Sequence, residues 1–197
     1  NQNYKIAIFD DGLQDHSINY DLTFVCFNNL NWIGNGFTIP SGPLRESFKT
    51  IKNHKNVFIA GNSRNLEHIK KEIIKINPQT NILTALYVPL NLHEFDKKEK
   101  YLVFSGIGNH ESFVSMLKSN GLNIIKDLEF PDHYNYSDQK VYDISSQAKK
   151  LNCKILTTEK DFLRLKGNNL NEIKFIRSEL KINNENDFLN ILSNLYE

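Results

Sequence analysis

Short apolar runs alternate with stretches of helical period along most of the chain, and this alternation limits the fold more than any other feature. Residues 4–9 (YKIAIF), 22–27 (LTFVCF), 57–60, 82–87, 101–104 (YLVF), 123–130, 154–157 and 174–176 read as strands. Continuous apolar runs of this length suit strands covered on both faces. Between them, residues 65–76 place Leu66, Ile69, Ile73 and Ile76 on one helical face. A helix is expected to end near Gly121, another spans 138–151 behind Ser137 as its N-cap, and a last one spans 187–196. A short helix is expected over 45–51. Strands alternating with helices imply a three-layer α/β fold with a mostly parallel sheet and right-handed crossovers. The charged stretch 93–100 reads as a connector, so the expected division is residues 1–92 and a smaller α/β lobe of residues 93–197.

Composition narrows the function. Lys and Arg number 24 against 23 Asp and Glu, which argues against a protein built to hold a nucleic-acid backbone. Cys26 and Cys153 match no metal-ligand spacing and are expected to be reduced, buried thiols. No apolar run reaches the ~18 residues of a membrane-spanning helix, and the first residues do not read as a signal peptide. The chain starts at Asn1 and its single methionine is Met116, so it is expected to be a piece of a longer product.

In parallel α/β sheets, ligands sit beyond the carboxyl ends of the strands. Several strand-following segments carry chemistry. In KIAIFDDGLQ, an apolar run ends in the adjacent carboxylates Asp10 and Asp11, then a glycine turn and Gln14. Magnesium needs only one or two such carboxylates, because it keeps several waters. A plain Asp-Gly turn would explain the same residues. Residues 28–44 form a long loop rich in Asn, Gly and Pro that leads into Arg45 and Glu46. Arg45, in a frame stiffened by Pro40 and Pro43, suits bidentate phosphate contact; an exposed Arg–Glu surface pair is the plainer explanation.

SGIGNHESF has Gly106 and Gly108 but lacks the third glycine of a dinucleotide fingerprint, so it reads as a tight strand-to-helix turn. In PDHY, His133 is suited to proton transfer but needs a partner to fix its tautomer. His16, His54, His68, His93 and His110 read as surface or loop residues. In TTEKD, Thr158 and Asp161 have the spacing of a capping box, which is a sufficient reason for both.

Taken in order, DDGLQ, GNGFTIPSGPLRE, FSGIGNHESF, FPDHYNY and TTEKD closely resemble the tetraacyldisaccharide 4'-kinase family over residues 5–165. The resemblance implies a P-loop-kinase-like fold with a smaller C-terminal α/β lobe. It implies ATP as phosphoryl donor, Mg²⁺, and a lipid A disaccharide precursor as acceptor, at the cytoplasmic face of the bacterial inner membrane. Asp10 and Asp11 match acids that serve magnesium and catalysis, and Gln14 shares their motif. Arg45 and Glu46 match a charged pair near the transferred phosphate. His133 matches a catalytic histidine that pairs with an aspartate to activate the attacking hydroxyl.

Three family features have no counterpart in these residues: the Gly-rich phosphate-binding loop with its Lys and Thr, the aspartate partner of the histidine, and an apolar segment for peripheral membrane association. The family also has His directly after the Gln of DDGxQ, where this chain has Asp15 and then His16; Ser47 stands where Pro is usual. Two competing classes follow. One is a non-catalytic remnant, or the partner-binding half of a split kinase. The other is an unrelated nucleotide-binding domain built on SGIG.

Overall fold

The computed structural model describes residues 5–62, 65–165 and 170–195. Among the described residues, eight strands form two four-stranded sheets and, with five α-helices, an α/β arrangement. The first sheet contains β1 (Val25–Asn28), β2 (Asn56–Ala60), β3 (Asn81–Pro89) and β8 (Ser178–Asn183), in the order β1-β2-β3-β8. The first three are parallel and β8 runs antiparallel to β3. The second contains β4 (Lys100–Ser105), β5 (Asn123–Glu129), β6 (Lys154–Thr158) and β7 (Ile173–Ile176), all parallel, in the order β5-β4-β6-β7. The helices are α1 (Leu66–Ile76), α2 (His110–Ser119), α3 (Asp138–Lys150), α4 (Glu159–Phe162) and α5 (Glu185–Ser193).

The period-2 geometry of β4 explains how the second sheet is covered. Successive side chains of a strand point to opposite faces. Tyr101 and Val103 join a core with Phe113, Met116 and Leu117 of α2. Leu102 and Phe104 join another with Val141, Ile144 and Ala148 of α3. Both faces are therefore dry, and β4 is apolar without interruption from Tyr101 to Phe104. In the first sheet, Val57 and Ile59 of β2 pack on Ile69 and Ile73 of α1, as the spacing of that helix predicts. Phe58, between them, meets Phe188 of α5, which also touches Phe24.

Three expectations need correction, and one strand has no counterpart among them. Residues 5–9 are not a strand; they pair with no described strand and lie outside both sheets, leaving Ile8 92% exposed, while Tyr4 lies outside the described residues. An apolar run reports hydrophobicity, whereas a strand also needs a neighbouring ladder. Within 22–27, only the part from Val25 onward is paired. The expected helix over 45–51 is a single 3₁₀ segment, Phe48–Asn53, capped by the Ser47 hydroxyl, so Arg45 and Glu46 stand before it in irregular chain. Finally, β8 had no counterpart in the sequence reading.

The Ser137 cap is as expected: its hydroxyl accepts from the Lys140 amide. Both cysteines are free, but Cys26, in β1, is exposed and Cys153, just before β6, is only half-buried. After β7 the chain returns to the first sheet as β8 and α5.

Candidate active site

The loop over residues 28–44 is built to deliver Arg45. Its start is fixed by the aromatic group Phe27, Trp32 and Phe48. Asn35 closes a local turn, accepting from the Phe37 amide and donating to the Ser41 carbonyl. Thr38 and Leu44 form a bridge, which turns the chain back on itself. Gly42 lies so close to Asn35 Oδ1 and the Phe37 carbonyl that any Cβ would collide with them. The glycine permits this close approach.

At the end of that loop, Arg45 forms a two-pronged ion pair with Asp11: Nη1 to Oδ1 and Nη2 to Oδ2, each 2.7 Å. Arg45 Nη1 also reaches Gln14 Oε1 at 3.4 Å, and Gln14 Nε2 donates to Glu46 Oε1 at 3.1 Å. Asp11 occupies the left-handed region at φ 60°. The turn behind it is closed by the Asp15 amide and the Tyr20 hydroxyl, both donating to the Gly12 carbonyl. Asp15 faces Ser17, whose hydroxyl and amide donate to its carboxylate and hold it below the usual range. It is thereby committed to the turn.

Thus Asp11, Gln14, Arg45 and Glu46, 31 or more residues apart across the two motifs, form one connected group. Together with Asp10 they line a cleft of about 1130 Å³, whose apolar wall includes Phe9, Phe24, Phe27, Phe48, Phe188 and Leu192. The Arg45–Asp11 pair is more than half exposed, so it contributes little to stability. Its value lies in orienting a guanidinium fork at the mouth of a cleft.

Asp10, Asp11, Gln14 and Glu46 offer hard oxygen donors, and Asp10 makes no hydrogen bond or ion pair to another described residue. No group of three or more His, Cys, Asp or Glu among the described residues is arranged to hold a metal on its own. The free Asp10 carboxylate beside Asp11 is the donor type that magnesium takes, one or two carboxylates with water and phosphate in its remaining positions.

His133 belongs to a second cluster and does not line this cleft. FSGIG, PDHYNY and TTEKD meet at the carboxyl ends of β4, β5 and β6. Asp161 is fully buried there. Its carboxylate accepts from Thr158 Oγ1 at 2.7 Å, the Gly106 amide at 3.1 Å and the Tyr136 hydroxyl at 3.3 Å. The Asp161 amide donates back to Thr158 Oγ1, as a cap requires. Burial and the Asp161 charge push the Tyr136 phenol far up, so it remains a donor.

The Gly106 carbonyl accepts the His133 amide at 3.1 Å, and Arg164 Nη2 lies 2.9 Å from His133 Nδ1. His133 sits in the left-handed region at φ 60°. Asp132 Oδ2 is 3.7 Å from Nε2. Gly106 is thus the joint between a strand end and the histidine loop, and not part of a dinucleotide cradle. Arg164 escaped the sequence reading, although its spacing of three from Asp161 on a helical turn was a usable signal.

His110 is a correction: it is buried, not a surface residue. It shares the inward face of α2 with Phe113, Val114 and Leu117, at helical spacing. Its Nδ1 is 2.7 Å from Ser105 Oγ and its Nε2 is 3.2 Å from Asp127 Oδ2. The order Ser–His–carboxylate is that of a hydrolase triad. Ser105, however, is fully buried and out of reach of a substrate. The three residues tie β4, α2 and β5 together.

The fold is α/β, and two side-chain clusters stand at the ends of its strands and loops. Residues 1–197 match the model of the LpxK family, tetraacyldisaccharide-1-P 4'-kinase. A tetraacyldisaccharide 4'-kinase of Pelagibacter ubique (strain HTCC1062) is 56% identical over 196 residues, covering 100% of this chain and 62% of that protein. One of Rickettsia canadensis (strain McKiel) is 39% identical over 184 residues, covering 92% of this chain and 54% of that protein. The structure of LpxK from Aquifex aeolicus in complex with ATP superposes with a TM-score of 0.56 at 21% identity, covering 95% of this chain and 56% of that one. The chain belongs to the tetraacyldisaccharide 4'-kinase family. It spans little more than half the length of these relatives. The reading of an unrelated nucleotide-binding domain is thereby overturned.

Proposed function

We propose that the full-length protein carrying this chain transfers the γ-phosphate of ATP to the 4'-hydroxyl of a tetraacyldisaccharide 1-phosphate in lipid A biosynthesis. The joining of DDGLQ and PLRE through Asp11–Arg45 and Gln14–Glu46 is the observation that carries this reading. Phosphoryl transfer demands positioning and charge neutralisation more than covalent chemistry. Asp10 and Asp11 would hold Mg²⁺, which would supply charge neutralisation to the phosphates. The Arg45 fork, engaged here by the Asp11 carboxylate, exchanges that carboxylate for phosphate oxygens on this reading. Gln14 and Glu46 keep that fork aligned. His133, paired with an aspartate, helps to activate the attacking hydroxyl.

On this reading residues 1–92 supply the second nucleotide motif and the substrate loop, and residues 93–197 supply the histidine lobe. An acylated substrate stays in the bilayer, so the enzyme works as a peripheral protein at the cytoplasmic face of the bacterial inner membrane. No described helix is long and apolar enough to cross a membrane.

The test is the full-length protein with Mg-ATP and tetraacyldisaccharide 1-phosphate in mixed micelles, with product read by mass spectrometry. A gain of one phosphate is expected, and Arg45→Ala is expected to lower turnover by about 10²–10³-fold. Absence of product from the wild type would overturn the activity. Unchanged turnover in Arg45→Ala would remove Arg45 from the site.

A further inference from the structure

We propose that Arg164 is a positioning residue that locks His133 as the Nε2–H tautomer, so that the ring meets its ligand as a proton donor. The argument begins with donor chemistry. A guanidinium has N–H donors and no acceptor. With Arg164 Nη2 at 2.9 Å from His133 Nδ1, that ring nitrogen is the acceptor. A neutral imidazole that accepts at Nδ1 carries its hydrogen on Nε2.

The contact is not a loose pairing of two surface side chains. His133 is largely exposed, but Arg164 is not, with only 21% of its side chain open to solvent. Its Nη1 donates to the Gly106 carbonyl at 3.3 Å and lies 3.5 Å from Asp161 Oδ1. Asp161 is itself buried and held by Thr158, Tyr136 and the Gly106 amide. The guanidinium is thus clamped on one side and presents Nη2 on the other. The same Gly106 carbonyl takes the His133 amide, so the backbone and the ring of the histidine are fixed from one point.

The consequence for the reaction rests on the catalytic reading of His133 given above. With Nδ1 occupied and Nε2 protonated, the ring has no free lone pair with which to take the hydroxyl proton. It acts by donating Nε2–H to an anionic oxygen, a carboxylate or a phosphate. The hydroxyl proton then passes to that same carboxylate or phosphate oxygen, which Nε2–H holds in place as a hydrogen-bond donor. Asp132 Oδ2, at 3.7 Å, lies beyond hydrogen-bond length from Nε2, which leaves that donor available.

The experiment is long-range ¹H–¹⁵N correlation of ¹⁵N-histidine-labelled full-length protein at a pH where the ring is neutral, with His133 assigned by its loss in His133→Ala. The expected wild-type signals are a bare Nδ1 and a protonated Nε2. Arg164→Ala is expected to give a mixture of tautomers and to lower kcat ~10-fold with KM changed less than ~2-fold; Arg164→Lys restores part of both. A wild-type ring protonated at Nδ1 overturns the proposal. So does an Arg164→Ala spectrum identical to the wild type, or an altered spectrum with unchanged kcat. Full turnover in His133→Ala overturns the catalytic part together with the reading it rests on. An inactive His133→Ala with an Nδ1-protonated wild type overturns the Arg164 assignment alone.

Discussion

Asp161 shows how much one side chain can hold. It is fully buried, yet its carboxylate ties together the end of β4, the cap of α4 and the aromatic Tyr136. Removing one member of a buried charged network leaves the others unpaired in a dry site. Asp161→Ala is therefore expected to cost about 3–5 kcal/mol, measured by urea unfolding of the full-length protein. Gly106 is the complementary case. A Cβ there would lie 3.0 Å from the Pro131 carbonyl, Tyr134 Cβ and Tyr136 hydroxyl. Gly106→Ala is expected to cost about 1–3 kcal/mol and to displace the loop that bears His133. Thermal unfolding and turnover measured together test both parts. At this scale the sequence was only partly legible. Its motifs stood out one by one, and Thr158 could be read as a cap. Nothing local showed that Asp161 reaches Gly106, 55 residues away, or that Arg164 faces His133.

The elements separate into those that carry their own signal and those that borrow one. α1 announces itself, because Ile69 and Ile73 recur on one face and are both fully buried. Ile69→Ala is expected to cost about 2–5 kcal/mol by chemical denaturation, since the cavity would open between the helix and β2. β8 is the opposite. Its first four residues are exposed and its only apolar pair is Leu180 and Ile182, so its place is set chiefly by the backbone ladder to β3. Truncation after Ile176 would strip that ladder and bare the β3 edge. The truncated protein is expected to aggregate, as size-exclusion chromatography would show. Residues 5–9 err in the other direction. KIAIF has the composition of a buried strand, but its placement depends on neighbours that composition does not supply. The sequence thus revealed elements whose burial is written in their own residues, and missed those defined by a partner.

At the scale of the molecule, two sheets carry the two halves of a candidate site. Asn28 Nδ2 donates to Ser112 Oγ at 3.0 Å, joining the end of β1 to α2. A smaller cavity of about 280 Å³ opens along the same seam, between Tyr87 and Ser178 on one side and Asn109, Ser112 and Thr158 on the other. The 197 residues contain no Gly-rich loop followed by Lys and Thr, the group that cradles the β- and γ-phosphates in kinases of this type. The 197-residue chain by itself is therefore expected to bind Mg-ATP more weakly than about 1 mM by calorimetry. Binding in the micromolar range would mean that the nucleotide is held by residues other than those proposed.

The chain passes between the sheets twice, once after β3 and once between β7 and β8, and the two passages are laced together. The Leu90 amide donates to the Arg177 carbonyl at 2.8 Å, the Arg177 amide to Asn91 Oδ1 at 2.9 Å, and Asn91 Nδ2 to the Phe175 carbonyl at 3.1 Å. A single tether would let one lobe swivel in any direction. Two tethers bound side by side act as a door hung on two pins: they yield to folding about one line and resist twisting. For the proposed reaction, this lacing together with the Asn28–Ser112 bond limits the directions from which the His133 loop can approach the Arg45 cleft.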